Sequence, residues 1–244
     1  MLNSQTAESV IDHALLLGAD FAELFIEKNE TNVVSSLSNE VQSVESGINF
    51  GIGLRLIYGN KVLYGYTNKT DQDELLRIAS VLAAKDLRDP VSTSKSFNFS
   101  QISDIHPAQK ILSIDAEIES KVAYLMSADR AARAAGKQIS RTRGSCMQRE
   151  QYVEIYNSDG LHTSDKRNYI RANLTAIASD GDEQATGSWN DGGLLGWEIE
   201  AAINPQRTGE EAARQALVNL TAKPCPSGRM PVIIGNGFGG VIFH

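Results

Sequence analysis

Apolar positions recur at helical spacing near the start of the chain: Val10, Ile11, Ala14, Leu15 and Leu17, with Gly18 as a natural stop. The pattern then changes period. Residues 21–27 are apolar with interspersed charge. Phe50, Ile52, Leu54 and Leu56 alternate with Gly51, Gly53 and Arg55, the period of a half-buried strand. Gly59-Asn60 is a tight-turn dipeptide leading into residues 62–66, so these strands are expected to form a hairpin. Thr70 is placed to cap a second helix carrying Leu75, Ile78, Ala79 and Leu82.

The same order recurs further on. Residues 89–112 are rich in Ser and read as a linker, with Phe97 and Phe99 as isolated aromatics. Ser113 is placed to cap a long helix through Ile114, Ile118, Val122 and Leu125, ending at Gly136. Arg130, Arg133 and Lys137 suit the negative end of its dipole. Strands follow, punctuated by Asp159-Gly160 and Asp180-Gly181, and Ile170, Ala172, Leu174, Ala176 and Ala178 line one face. Thr208 and Glu211 have capping-box spacing before Ala213, Ala216, Leu217 and Leu220. After a loop at Pro226-Ser227-Gly228, residues 230–234 resemble a short buried strand, and Val241-Ile242-Phe243-His244 begins an apolar run with no stop signal. The fold class expected is α+β. Two helix–β-meander–helix modules with mostly antiparallel sheets (1–88 and 113–225) flank the linker 89–112, and 226–244 is the truncated start of a further domain.

Charge and cysteine content narrow the function. Lys and Arg number 23 against 30 Asp and Glu, a net charge of −7. That argues against a nucleic-acid partner, because phosphates call for a basic surface. Arg141, Arg143 and Arg149 read as a solvated strand face. Two distant cysteines, Cys146 and Cys225, and the lack of a secretory signal are read as a reduced, cytoplasmic chain. No apolar run approaches the roughly 20 residues that span a bilayer, so no membrane partner is expected.

Candidate chemistry is sparse. Gly235, Gly237 and Gly240 fit G-x-G-x-x-G after a strand, but a dinucleotide fingerprint also needs a complete βαβ unit and a downstream acidic residue. The turn reads as a flexible strand-to-helix connection, or as a place where Gly235, Gly237, Gly239 and Gly240 position a peptide backbone. His13, His106, His162 and His244 are scattered, and none pairs with a second ligand at metal spacing.

The stretch from Glu210 to His244 resembles the TldD/PmbA family. The resemblance is carried by residues 210–217, by Pro226-Ser227-Gly228-Arg229-Met230-Pro231 and by the glycine turn into Val241-Ile242-Phe243-His244. Residues 18–24 and 51–55 are similar to the family too. The resemblance implies a cytoplasmic zinc metallopeptidase acting on unfolded or extended peptides. In the TldD branch the glycine turn leads into a His-Glu-x-x-x-His motif whose histidines bind zinc and whose Glu is the general base. His244 matches the first histidine; the Glu, the second His and a distant Cys ligand would lie beyond the last residue, leaving this chain inactive alone. Neither Cys146 nor Cys225 stands at the family's ligand position. The resemblance further implies pairing with a PmbA-type subunit or a second copy. The alternative is a non-catalytic, peptide-binding subunit of PmbA type.

Overall fold

A computed structural model describes residues 2–86, 89, 99–102, 117–235 and 238–244. Helix α1 (Ser4–Leu16) starts where the Asn3 side chain accepts a hydrogen bond from the Gln5 backbone N–H, and it buries Ala7, Val10, Ile11, Ala14 and Leu15. Gly18 (φ 92°) turns the chain out of the helix. Strands β1 (Phe21–Leu37) and β2 (Glu40–Tyr58) then form one long hairpin. Its two-residue turn is Ser38-Asn39, both in the left-handed region (φ 48° and 67°). Strand β3 (Lys61–Thr67) pairs with β2 through the expected Gly59-Asn60 turn. Helix α2 (Gln72–Ala83) is capped by Asp71, whose carboxylate accepts from the Glu74 N–H at 3.0 Å, one residue after the expected Thr70. A carboxylate is the stronger acceptor there and also complements the dipole.

Within the 89–112 stretch, Ser100–Ile102 forms a short strand, β4, parallel to a later one. Ser113 and Ile114, expected to open the next helix, lie outside the described residues. Helix α3 (Ile118–Ala134) is followed by β5 (Ile139–Asn157), β6 (Leu161–Asp180) and β7 (Glu183–Gly193). Helix α4 (Pro205–Leu220) begins at an Asn204-Pro205 cap, with Asn204 Oδ1 accepting from the Arg207 N–H at 3.2 Å. The expected Thr208–Glu211 capping box is therefore displaced, because an Asn cap with Pro in the first turn starts the helix earlier. Thr208 is buried within α4, donates to Asp191 at 2.9 Å and accepts from the Tyr124 hydroxyl at 2.8 Å. Residues 230–234 form no strand. They are exposed, Ile233 at 99%, since no neighbouring strand among the described residues offers a ladder.

The two helix–meander–helix units share one seven-stranded sheet, in the order β3-β2-β1-β5-β6-β4, with β7 also on β6. The seam is the antiparallel β1–β5 pair, from Glu23 opposite Asn157 to Leu37 opposite Arg143. Every buried residue of β1 is even-numbered, and its odd-numbered residues are all half-buried, so the helices sit on one face. The pair α1/α2 covers one end of that face, over Leu24, Ile26, Leu54 and Leu56. The pair α3/α4 covers the other, over Cys146, Ala172, Leu174 and Ala176. The carboxylate of Asp129 on α3 accepts from the Asn39 N–H, the Thr142 hydroxyl and Arg133, fixing α3 to the hairpin tip.

Candidate peptide-binding surface and chain terminus

Between the two helical pairs the apolar face of the sheet is interrupted. Along β1 the inward positions run Ala22, Leu24, Ile26, then Lys28, Glu30 and Asn32, before Val34 restores the apolar pattern. Lys121 of α3 reaches Asn32 at one end of this band, but over Lys28 and Glu30 a trough of about 420 Å³ opens, lined by strand residues alone. Ile26, Lys28, Glu30, Phe50, Glu150, Tyr152 and Lys166 line it. Lys28 pairs with Glu30, and Lys166 with Glu150 at 2.8 Å, so its charges are mutually neutralised. Beside it lie Gln148 and Asn168, both buried, and neither end of either amide has a hydrogen-bond partner among the described residues. An aromatic–aliphatic floor with ion-paired walls and unpaired amides can contact groups that are part apolar and part hydrogen-bonding; among the described residues it contains no nucleophile–base pair that would break a bond. The polar run at one parity of β1 is a signal the sequence carries, though periodicity read only over residues 21–27 misses it.

Two further polar groups lie on the same face. Lys121 of α3 is wholly buried and donates to Asn32 Oδ1 at 2.7 Å, with its ammonium 5.5 Å from the Trp197 ring centroid. Burial pulls its pKa down, with the neighbouring Cys146 as a weaker opposing influence. Burial also pushes the Cys146 thiol up to about 12. At the α1 end, the Tyr156 hydroxyl donates to Glu154 Oε1 at 3.0 Å, His162 Nε2 lies 3.1 Å from the same oxygen, and the two rings stack at 4.1 Å. Phe99 meets Tyr156 edge-on at 5.1 Å, which seats β4. His13 Nε2 reaches Ser80 Oγ at 2.9 Å and links α1 to α2.

The residues singled out near the C-terminus are not gathered into a site. His244 is exposed, and its backbone N–H bonds to Val241 O at 3.3 Å at the end of a short 3₁₀ turn, Phe238–Phe243. Gly235 and Gly240 have nothing near where a Cβ would sit, Gly239 lies against Ile234, and Gly237 is outside the described residues. Among the described residues no three His, Cys, Asp or Glu side chains come together in a group able to hold a metal ion. A zinc site needs three or four such ligands, and His244 alone does not fit one. The buried, protonated thiol of Cys146 is equally unsuited to ligation. No helix among the described residues is long and apolar enough to cross a membrane.

Comparison with known proteins gives a consistent picture. The model of the PmbA/TldA metallopeptidase domain 1 matches residues 22–85, and that of the PmbA/TldA metallopeptidase central domain matches residues 112–220. A metalloprotease TldD homolog of Haemophilus influenzae is 26% identical over 254 residues, covering 100% of this chain and 52% of the relative. A metalloprotease of Methanocaldococcus jannaschii is 22% identical over 260 residues, covering 100% of this chain and 53% of the relative. The chain thus spans about half the length of the curated relatives it matches. Among solved structures, a putative modulator of DNA gyrase from Bacteroides thetaiotaomicron superposes with a TM-score of 0.73 at 15% identity, over 93% of this chain and 52% of that one. TldE from Thermococcus kodakarensis superposes with a TM-score of 0.62 at 15% identity, over 87% and 47%. At these identities the structures speak for the fold alone.

Proposed function

Because the chain belongs to the TldD/PmbA metallopeptidase family, we propose that it is the substrate-handling half of a TldD-type zinc peptidase. In this reading its sheet holds unfolded or extended peptide, and the metal's remaining ligands come from residues outside this chain. The observation that carries the reading is the alignment of the whole chain with half of proteins named metalloprotease TldD homologs. The trough and its ion-paired walls support a binding role for this half. His244 enters as the one candidate ligand within the chain, and Gly235, Gly237, Gly239 and Gly240 as the turn that positions it or a peptide backbone. A cytoplasmic location is consistent with the two free cysteines, Cys146 and Cys225. Pairing with a PmbA-type subunit or with a second copy belongs to the same proposal.

The test compares the 244-residue chain with a protein that continues past His244, each with and without His244→Ala. Zinc content and hydrolysis of an unstructured peptide are measured. The reading expects zinc and turnover only in the longer protein, and loss of both in His244→Ala with unchanged circular dichroism. Retention of zinc and turnover by the variant removes His244 from the site. Absence of both from the longer protein selects the non-catalytic, PmbA-type reading.

A further inference from the structure

Strand β2 pairs with β1 along its length, but β3 covers its other side only from Ile52 to Tyr58. Residues 40–51 therefore have a bare edge among the described residues. In an antiparallel ladder alternate residues turn their N–H and C=O to opposite sides, so this edge presents a row of unpaired main-chain donors and acceptors. Natural edges of this length are usually blunted by Lys, Pro or inward-pointing charge. Residues 40–51 contain no Pro, no Lys and no Arg.

The two faces of this segment differ. On the helix-bearing side stand Val41, Val44 and Ile48, exposed to 41%, 43% and 64%, with Ser46 between Val44 and Ile48, continuing into Phe50 at the wall of the trough. The opposite side carries Glu40, Ser43, Glu45, Gly47 and Asn49, the partners of the odd-numbered residues of β1. An added strand would gain a mostly apolar row, broken only by Ser46, on one face and meet two carboxylates on the other. A second copy of β2 does not meet that demand. Neither copy brings a basic residue, and antiparallel pairing about the middle of the segment sets Glu45 near its own counterpart, like charges in a position that destabilises sheets.

We propose that the bare edge of β2 at residues 40–51 is an acceptor for an extended polypeptide strand that alternates apolar and basic residues. The edge supplies main-chain hydrogen bonds, Val41, Val44 and Ile48 supply the apolar contacts, and Glu40 and Glu45 select for Lys or Arg. The proposal rests on the peptide-handling reading above and gives it a place and a substrate chemistry.

The experiment uses the 244-residue chain without added metal, so it stands or falls separately from zinc binding and cleavage. Fluorescence anisotropy is measured with a labelled peptide alternating Lys and Val, a scrambled peptide of the same composition, and the alternating peptide N-methylated along one edge. Amide exchange is followed at residues 41–49. Binding is expected only for the unmethylated alternating peptide, with slowed exchange at residues 41–49. The Glu40→Lys, Glu45→Lys double variant should weaken it about tenfold. Both sites are exposed, so the fold should persist, which circular dichroism checks. Equal binding of the methylated or scrambled peptide, or protection elsewhere, overturns the proposal. So does a concentration-dependent dimer that protects residues 41–49 without peptide, which assigns the edge to a second copy.

Discussion

Lys121 of α3 and Asn32 of β1 meet at 2.7 Å in the interior, the ammonium donating to the amide oxygen. Asn32 in turn donates to Ser46 Oγ at 2.9 Å, so a helix, the central strand and the outer part of the hairpin are joined through one buried cation. The ion has a neutral acceptor and an aromatic ring, and no carboxylate pairs with it among the described residues. Replacing a buried charge with an apolar residue of similar volume is often neutral or stabilising, whereas stripping its partner costs about 3–5 kcal/mol. Lys121→Met should leave the urea midpoint unchanged or raised, Asn32→Leu should lower it strongly, and the double variant should recover most of the loss. Equal damage from both single variants would sink this account.

The same lysine predicts a pH dependence. Burial lowers its pKa from the ordinary 10.5, so the unfolded chain binds this proton more tightly than the folded one. Stability is withheld below the lowered value and returns as pH rises through the window toward 10.5. Cys146 works in the opposite sense: its thiol, raised to about 12 from 9.0, favours the fold below 9.0, and that contribution is lost as pH rises toward 12. In a Cys146→Ala background, the stability difference between the Lys121 protein and Lys121→Met should shift in favour of lysine as pH rises toward 10.5. A flat difference across that range would show that Lys121 does not titrate there.

Thiol chemistry separates the two cysteines. Cys225 is exposed, while Cys146 is fully buried and held protonated. A disulfide reagent should label one thiol promptly and the second only at the rate of unfolding. Prompt labelling of both would mean that the sheet face around Cys146 opens readily.

Much of this architecture is legible in the residues. The inward row Ile170, Ala172, Leu174, Ala176 and Ala178 is buried as its alternation implies, because a period of two has only one arrangement against a helical layer. The starts of α2 and α4 differ from the pattern's Thr70 and Thr208 because a stronger local cap stands nearby, Asp71 in the one case and Asn204-Pro205 in the other. The length of β1 and β2 was hidden by polar residues on both sides of their middle, since Lys28, Glu30, Ser43 and Glu45 carry no apolar period. The pairing of β1 with β5 depends on contacts more than a hundred positions apart, which no local pattern encodes. The trough is a product of that pairing, and Glu150 and Lys166 enter it only once the seam is formed.

Phe99 holds β4 against the Tyr156 ring, and the Ser100 N–H bonds to Gly160 O at 2.8 Å. Among the described residues the strand is further held by its short parallel ladder with β6 and by the approach of Phe99 to the His162 ring at 6.3 Å. Phe99→Ala should speed amide exchange at Ser100 markedly while lowering the global unfolding free energy, read from urea melts, by only about 1 kcal/mol, the order of one aromatic pair. A large global loss would make β4 part of the cooperative core.

The packing of α4 gives the sharpest steric prediction. This helix lies between α3 and β7, and both contacts are made through glycine. A Cβ on Gly209 would stand 2.1 Å from Ala128 O and 2.7 Å from Ala131 Cβ; one on Gly187 would stand 2.3 Å from Ala216 N and 2.4 Å from Ala212 O. Most of these neighbours are backbone atoms, so no rotamer change relieves the clash and the helix itself must move. Two effects oppose each other at Gly209. Ala is favoured over Gly inside a helix by about 1 kcal/mol, whereas overpacking a close contact costs about 1–3 kcal/mol and is worst where backbone meets backbone. Sterics should win. Gly209→Ala should destabilise by about 2 kcal/mol, and Gly187→Ala, with no helix propensity to offset it, by somewhat more. Gly228→Ala is the control, because nothing lies within 4 Å of its Cβ position. Urea unfolding of the three variants decides the matter. Stabilisation by Gly209→Ala would mean that α3 and α4 stand further apart than the glycine contact requires.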